Sequence, residues 1–127
     1  MDEVVLQRAE RACFSPGSMK DVPPHWLDTA FERFGQDDCV RPIHRDGITF
    51  KRQDIRSELP AGCFDLVLCR NIIFTYFEIE LQRAIFDRLA TVLHEGGYLM
   101  IGAHEQLPEN SQFFAPVAGC REIFRKA

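Results

Sequence analysis

The sequence predicts an α/β fold, and three neighbouring segments carry that prediction. Residues 64–71 begin with an apolar run of strand length and end in a thiol, a guanidinium and an amide. Apolar residues at helical spacing follow over residues 77–94, and residues 98–103 form a second apolar run. A strand, a crossover of about 20 residues and another strand make a βαβ unit with parallel strands.

Length and composition limit the kind of protein this is. The 127 residues are 46% hydrophobic and 27% charged, which is typical of one globular domain. The formal net charge of −4 offers no basic surface to a nucleic acid. No apolar run approaches the roughly 20 residues that a membrane span needs, so we expect no membrane insertion.

The cysteines and histidines predict neither cross-links nor a metal site. The five cysteines are odd in number, and no pair has CxxC spacing. We therefore expect free thiols in a reducing cytoplasm, rather than a disulfide framework, and a cytoplasmic location. The four histidines are scattered along the chain, which argues against a zinc site.

The first part of the chain is predicted to be mainly helical. Residues 2–13 repeat apolar positions at helical spacing. Residues 25–34 can form a second helix, which Pro24 would begin and Gly35 would end. Residues 36–47 are polar and rich in turn signals, so they are predicted to be a loop or a hairpin.

Strands dominate the prediction for the remainder. Residues 48–53 alternate apolar and polar positions, which predicts a strand with one covered face. The continuous apolar run within residues 64–71 is typical of a strand buried on both faces. The helix over residues 77–94 is expected to stop at two glycines before the strand at 98–103. Residues 113–126 indicate a terminal hairpin.

The polar end of the strand at residues 64–71 is a candidate binding site. In open parallel sheets, ligands bind outside the carboxyl ends of the strands, and Arg70 and Asn71 stand at that end. The alternative is a strand that simply runs into a polar loop.

Two motifs resemble one enzyme family. The stretch FDLVLCRNIIFTYF at residues 64–77, then a helix, then GGYLMIGAHE at residues 96–105, resembles the C-terminal half of CheR-type methyltransferases. These enzymes use S-adenosylmethionine to methylate glutamate side chains of chemotaxis receptors. Residues 6–34 resemble the linking region of the family, and residues 48–55 resemble its strand leading to the adenine pocket. The resemblance implies an incomplete Rossmann-like sheet, mostly parallel, with a C-terminal antiparallel hairpin and flanking helices.

The resemblance also implies roles for five residues. Asp54 and Ile55 match the positions that border the adenine, and Arg70 and Asn71 match the pair beside the cofactor. Tyr76 matches the tyrosine near the transferred methyl group. Without the family, Asp54 would be interpreted as a turn-capping carboxylate and Arg70 as half of a surface ion pair.

The expected reaction needs little acid–base chemistry. A carboxylate is already ionised at neutral pH, so the enzyme must mainly align the reacting atoms and exclude water. Such positioning can contribute roughly 7–11 kcal/mol. No residue is therefore nominated as a catalytic base. The insertion of one residue within residues 72–75, relative to receptor methyltransferases, favours a related branch of the family.

The glycine-rich loop and the ribose-binding acid of the family are not found in this sequence, where Asp2 matches only a second acid beyond the ribose-binding one. We therefore expect residues 1–127 to be a single, N-terminally truncated methyltransferase-like domain with half a cofactor pocket. An unpaired sheet edge would favour self-association. The expected partner is a protein carboxylate, of the kind found in chemoreceptor-like proteins. Two alternatives stay open: a degenerate, non-catalytic binding module that lacks the cofactor loop, and a purely structural α/β domain.

Overall fold

The computed structural model describes residues 3–108 and 112–127. The chain divides into two compact units, Met1–Arg52 and Gln53–Ala127. The expectation that residues 1–127 form one domain stays a prediction. Asp2 and most of the turn at residues 108–111 lie outside the described residues.

The first unit combines short helices with a small antiparallel sheet. Three strands pair in the order β1-β3-β2. The helices are α1 (Glu3–Arg11), α2 (Pro24–Ala30) and α3 (Pro42–Arg45), and the strands are β1 (Cys13–Phe14), β2 (Phe31–Phe34) and β3 (Asp37–Val40).

The predicted second helix is only partly correct. Helix α2 ends at Ala30, and the next four residues pair with β3 as strand β2. Of the loop or hairpin predicted at residues 36–47, Asp37–Val40 is one strand of a hairpin, whereas Pro42–Arg45 form helix α3. Phe31 and Phe34, which suggested a longer helix, lie in the other strand of that hairpin. Gly35 opens its two-residue turn with a φ of 60°, a conformation that glycine adopts without strain.

Replacing Gly35 with alanine should destabilise the first unit by about 1 kcal/mol. No atom lies within 4 Å of an added Cβ, so the cost comes from left-handed backbone alone. Gly17 is the matched control, because it also has open space but no positive φ; its alanine variant should unfold at the wild-type temperature or above. Thermal unfolding followed by the fluorescence of Trp26 tests the pair. Equal melting temperatures for the two variants would contradict the prediction.

Two further predictions for the first half of the chain were wrong. The alternation over residues 48–53 does not form a strand, because no neighbouring strand among the described residues pairs with it; Ile48 remains 55% exposed. Cys13 and Cys39 are joined in a disulfide, since they face each other directly across β1 and β3. The other three cysteines are free, as expected.

The second unit contains a four-stranded mixed sheet in the order β4-β5-β7-β6. Strands β4 and β5 are parallel, whereas the other two pairings are antiparallel. The βαβ unit and the terminal hairpin are confirmed, but the sheet is not mostly parallel. Its elements are β4 (Phe64–Cys69), α4 (Ile73–Tyr76), α5 (Ile79–Val92), β5 (Leu93–Ile101), β6 (Phe114–Pro116) and β7 (Ile123–Lys126). Strand β5 begins directly after α5, so the two glycines expected to stop the helix lie within the strand.

One face of this sheet is covered and part of the other is open. Helix α5 packs against the covered face, where Leu99 and Ile101 of β5 are fully buried. On β4, Leu66 is 55% exposed and Leu68 is 63% exposed. Because β4 is also an outer strand, the expectation that it would be buried on both faces was wrong. No helix among the described residues is long and apolar enough to cross a membrane.

Candidate functional site

The ends of β4 and β5 bring the two sequence motifs together. The strands are parallel neighbours, and Cys69 pairs with Ile101 at their carboxyl ends. Arg70 and Asn71, which follow β4, therefore lie beside the turn that follows β5. This is the edge of a parallel pair where ligands bind in α/β sheets.

Asn71 has an unusual backbone conformation. Its φ of 58° is left-handed, which asparagine tolerates better than most residues. Its backbone N–H donates a hydrogen bond of 2.8 Å to Oε2 of Glu105. The carboxylate therefore ties the residue after β4 to the turn after β5.

Glu105 is the one buried charged residue in the described part of the chain, with 8% of its surface exposed. Its Oε2 also accepts from the N–H of Gly102 at 2.7 Å, and its Oε1 accepts from Thr75 Oγ1 at 2.7 Å. Burial raises the pKa of this carboxyl, but the hydrogen bonds that it accepts outweigh burial and hold the pKa below its ordinary value. The side chain is thus a carboxylate at neutral pH.

The contacts of Glu105 depend on the absence of a side chain at Gly102. A Cβ there would lie 2.8 Å from Glu105 Oε2 and would collide with the side-chain oxygen of Asn71. Only glycine leaves room for both groups. Sequence reasoning did not nominate Glu105, although the motif GAHE contains it; an acid three residues after a glycine at a strand end is the signal that points to it.

Arg70 and Tyr76 are directed to solvent. The guanidinium of Arg70 has no hydrogen bond or ion pair with residues 3–108 or 112–127, so within that part of the chain the ion-pair interpretation finds no partner. Tyr76, the last residue of α4, is 77% exposed. Both side chains are available to a ligand or to another protein.

Asp54 forms a local ion pair. Its two carboxylate oxygens accept from the guanidinium of Arg56 at 2.6–3.1 Å, and Oδ1 also accepts the backbone N–H of Arg56. These hydrogen bonds lower the pKa of Asp54 to about 2. The geometry is that of a turn-capping carboxylate, the interpretation that the residue would have without the family.

Ile55 lines an apolar groove of about 450 Å³ along the outer strand. Leu66, Leu68 and Ile72 line the same groove. The structure therefore brings Ile55 beside β4. Asp54, Arg70, Asn71 and Tyr76 do not line this groove, so Ile55 is the one predicted residue that does.

Comparison with known proteins identifies the family. The model of the CheR methyltransferase SAM-binding domain matches residues 1–123. A chemotaxis protein methyltransferase of Listeria monocytogenes is 30% identical over 107 residues, which cover 84% of this chain and 40% of that protein. A chemotaxis protein methyltransferase of Pseudomonas aeruginosa is 38% identical over 70 residues, which cover 54% of this chain and 25% of that protein.

A longer protein also contains a similar segment. An uncharacterized 104.1 kDa protein of Rhodobacter capsulatus is 29% identical over 120 residues, which cover 94% of this chain but only 12% of that protein. The chain thus spans less than half the length of these relatives. With a family match over nearly all of its residues, the chain belongs to the CheR methyltransferases, in the part that forms their S-adenosylmethionine-binding domain.

Proposed function

We propose that this chain acts as part of an S-adenosylmethionine-dependent methyltransferase that transfers a methyl group to a carboxylate of a chemoreceptor-like protein in the cytoplasm. The observation that carries the proposal is the paired end of β4 and β5. There the family motifs meet, and they leave Arg70 and Tyr76 exposed. The mixed sheet would then be the C-terminal portion of a Rossmann-like sheet.

The residues present fit one part of the cofactor better than the others. The groove along β4 is apolar and has the size of a small-molecule site, so Ile55 and its neighbours suit the flat adenine ring. Arg70 and Asn71 offer polar groups at the end of β4 that could bind the charged portion of the cofactor. Asp54 would have to release Arg56 before its carboxylate could accept the adenine amino group.

The chemistry rests on position rather than on proton transfer. The cofactor, when bound, supplies a methyl group on a positively charged sulfur. The part of this chain is to hold that group beside an ionised acceptor, which needs no base. Tyr76 extends from α4 into solvent, and we propose that it contacts the acceptor side chain of the substrate protein.

Cofactor binding to the 127-residue chain should be weak but dependent on Arg70. Replacing Arg70 with alanine should reduce the affinity for S-adenosylmethionine by about tenfold or more, because hydrogen bonds to charged groups contribute roughly 1.5–3 kcal/mol. Isothermal titration with the wild type and the variant measures this. Arg83, an exposed arginine of α5, is the matched control. Tight binding by the 127-residue chain would contradict the expectation of half a cofactor pocket. An equal loss of affinity in Arg70→Ala and Arg83→Ala would contradict the placement of Arg70 in the cofactor site.

A non-catalytic binding module is the second candidate. The observation that favours it is the engagement of both oxygens of Asp54 with Arg56, which removes an acceptor from the proposed adenine site. This candidate predicts no response to S-adenosylmethionine, even in a longer form of the protein that carries a glycine-rich loop. We also propose that the free edge of β4, with Leu66 and Leu68 exposed beside it, favours self-association.

A further inference from the structure

Glu105 joins three segments of the second unit through one carboxylate. Oε2 accepts from the backbone N–H groups of Asn71 after β4 and Gly102 after β5, at 2.8 and 2.7 Å. Oε1 accepts from Thr75 of α4 at 2.7 Å. A charged acceptor with this many donors holds its partners more firmly than neutral hydrogen bonds do.

These hydrogen bonds stabilise the left-handed backbone conformation of Asn71. A left-handed φ costs a non-glycine residue free energy, and such strain persists only where the surroundings over-determine it. The hydrogen bond to Glu105 begins at the N–H of Asn71 itself. The same hydrogen bond fixes the peptide that joins Arg70 to Asn71, so it constrains the backbone from which both side chains extend.

We infer that Glu105 is a positioning residue for the cofactor: by holding the backbone of Asn71, it directs Arg70 and Asn71 towards the ligand. The inference rests on the proposed function of Arg70 and Asn71. Glu105 itself is buried, and its carboxylate accepts hydrogen bonds from Asn71, Thr75 and Gly102. A purely structural role would make a different prediction, since it would change stability without changing the affinity of the folded protein for the cofactor.

Two substitutions at Glu105 separate these roles. Glu105→Ala removes every acceptor. Glu105→Gln keeps one oxygen for the two backbone N–H groups, and its amide can donate to the Thr75 hydroxyl, so the geometry survives without the charge. Thr75→Val is a milder third variant that removes only the bond to Oε1 and keeps the side-chain volume, which provides a folded protein if the alanine variant does not fold.

Nuclear magnetic resonance of the 127-residue chain can measure both the backbone conformation of Asn71 and the binding of the cofactor. The amide and α protons of a residue with positive φ are unusually close, so the cross-peak between them reports the backbone of Asn71. Titration with S-adenosylhomocysteine, followed at the side-chain N–H signals of Arg70 and Asn71, reports cofactor binding even when it is weak.

The expected result is a strong Asn71 cross-peak in the wild type and in Glu105→Gln, and its loss in Glu105→Ala. The affinity for S-adenosylhomocysteine should fall by about tenfold in Glu105→Ala, stay close to that of the wild type in Glu105→Gln, and fall by a smaller factor in Thr75→Val. Unchanged affinity in folded Glu105→Ala, or in Thr75→Val if the alanine variant is unfolded, would overturn the inference. Wild-type protein without any response at Arg70 or Asn71 would instead overturn the proposed function, while the cross-peak would still decide whether Glu105 sets the backbone of Asn71.

Discussion

Replacing Leu99 with alanine should destabilise the second unit by about 2–5 kcal/mol, the usual cost of emptying a fully buried leucine site. Leu99 is 0% exposed and lies on β5, paired with Val67 of β4 on one side and Phe124 of β7 on the other. Its side chain belongs to the cluster that α5 covers. Few proteins have enough stability to absorb such a loss easily.

Leu68→Ala is the matched control for this prediction. Leu68 is on the adjacent strand but is 63% exposed, so the same truncation should cost less than about 1 kcal/mol. Urea unfolding, followed at the amide signals of β5, gives both values. Similar losses for the two variants would mean that the face of β4 carrying Leu68 is covered in solution, by a second copy of the chain or by another segment, and would contradict the open face of that strand.

The contrast between Leu99 and Leu68 explains one error of the sequence-based prediction. The apolar run of β4 indicates burial on both faces, but an apolar pattern reports only what a strand can pack against. Leu66 and Leu68 have no covering layer among the described residues. The Listeria and Pseudomonas relatives are more than twice as long as their matching segments, and a longer protein offers segments that could cover such a face. In that context, Leu68→Ala should cost as much as Leu99→Ala.

Local patterns predicted the second unit well because its elements are long or strongly periodic. Helix α5 and strand β4 were found close to their true positions, whereas β5, predicted at residues 98–103, spans Leu93–Ile101. In the first unit, Phe31 and Phe34 fit a helical face and a strand equally well, and only pairing with β3 decides between them. Pairing also decides against a strand at residues 48–53 and brings Cys13 opposite Cys39, 26 residues apart. Pairings between distant segments of this kind cannot be predicted from a short stretch of sequence.

The candidate site was likewise predicted only as far as local sequence patterns reach. The motif CRN and the parallel pair placed Arg70 and Asn71 at a strand end. The hydrogen bonds that fix Asn71, however, come from Glu105, which is 34 residues away in the chain. Asp54 was predicted on family resemblance, but its nearest partner is its own neighbour Arg56, a local interaction that the sequence contained from the start.

The buried carboxylate of Glu105 should make the second unit sensitive to acid. Its pKa is lower in the folded protein than the ordinary value of 4.5, because the hydrogen bonds from Thr75, Asn71 and Gly102 outweigh burial. A lowered folded pKa means that the stabilisation is fully present above the unfolded pKa and is lost as pH falls through the folded one. The free energy of unfolding should therefore decrease from about pH 4.5 downward.

Glu105→Gln should remove most of this dependence. At pH 7 the variant should be less stable than the wild type by about 1–3 kcal/mol, since neutral hydrogen bonds replace charge-assisted ones. The difference should shrink as the pH falls below 4.5, because the wild-type side chain then becomes neutral as well. Urea unfolding at a series of pH values, followed at the amide signals of β5, measures this difference.

Asp54→Asn provides the comparison for that series. The pKa of Asp54 is lowered from 3.8 to about 2 by Arg56, so any stabilisation from this exposed pair is lost between those two values, and solvent screening keeps it small. The free energies of unfolding of the two variants should therefore differ most above pH 4.5, where the buried carboxylate of Glu105 contributes much more stability than the exposed one of Asp54. A constant difference between the wild type and Glu105→Gln at every pH would show that Glu105 acts through its shape and not through its charge, and would contradict the stabilising role of the carboxylate.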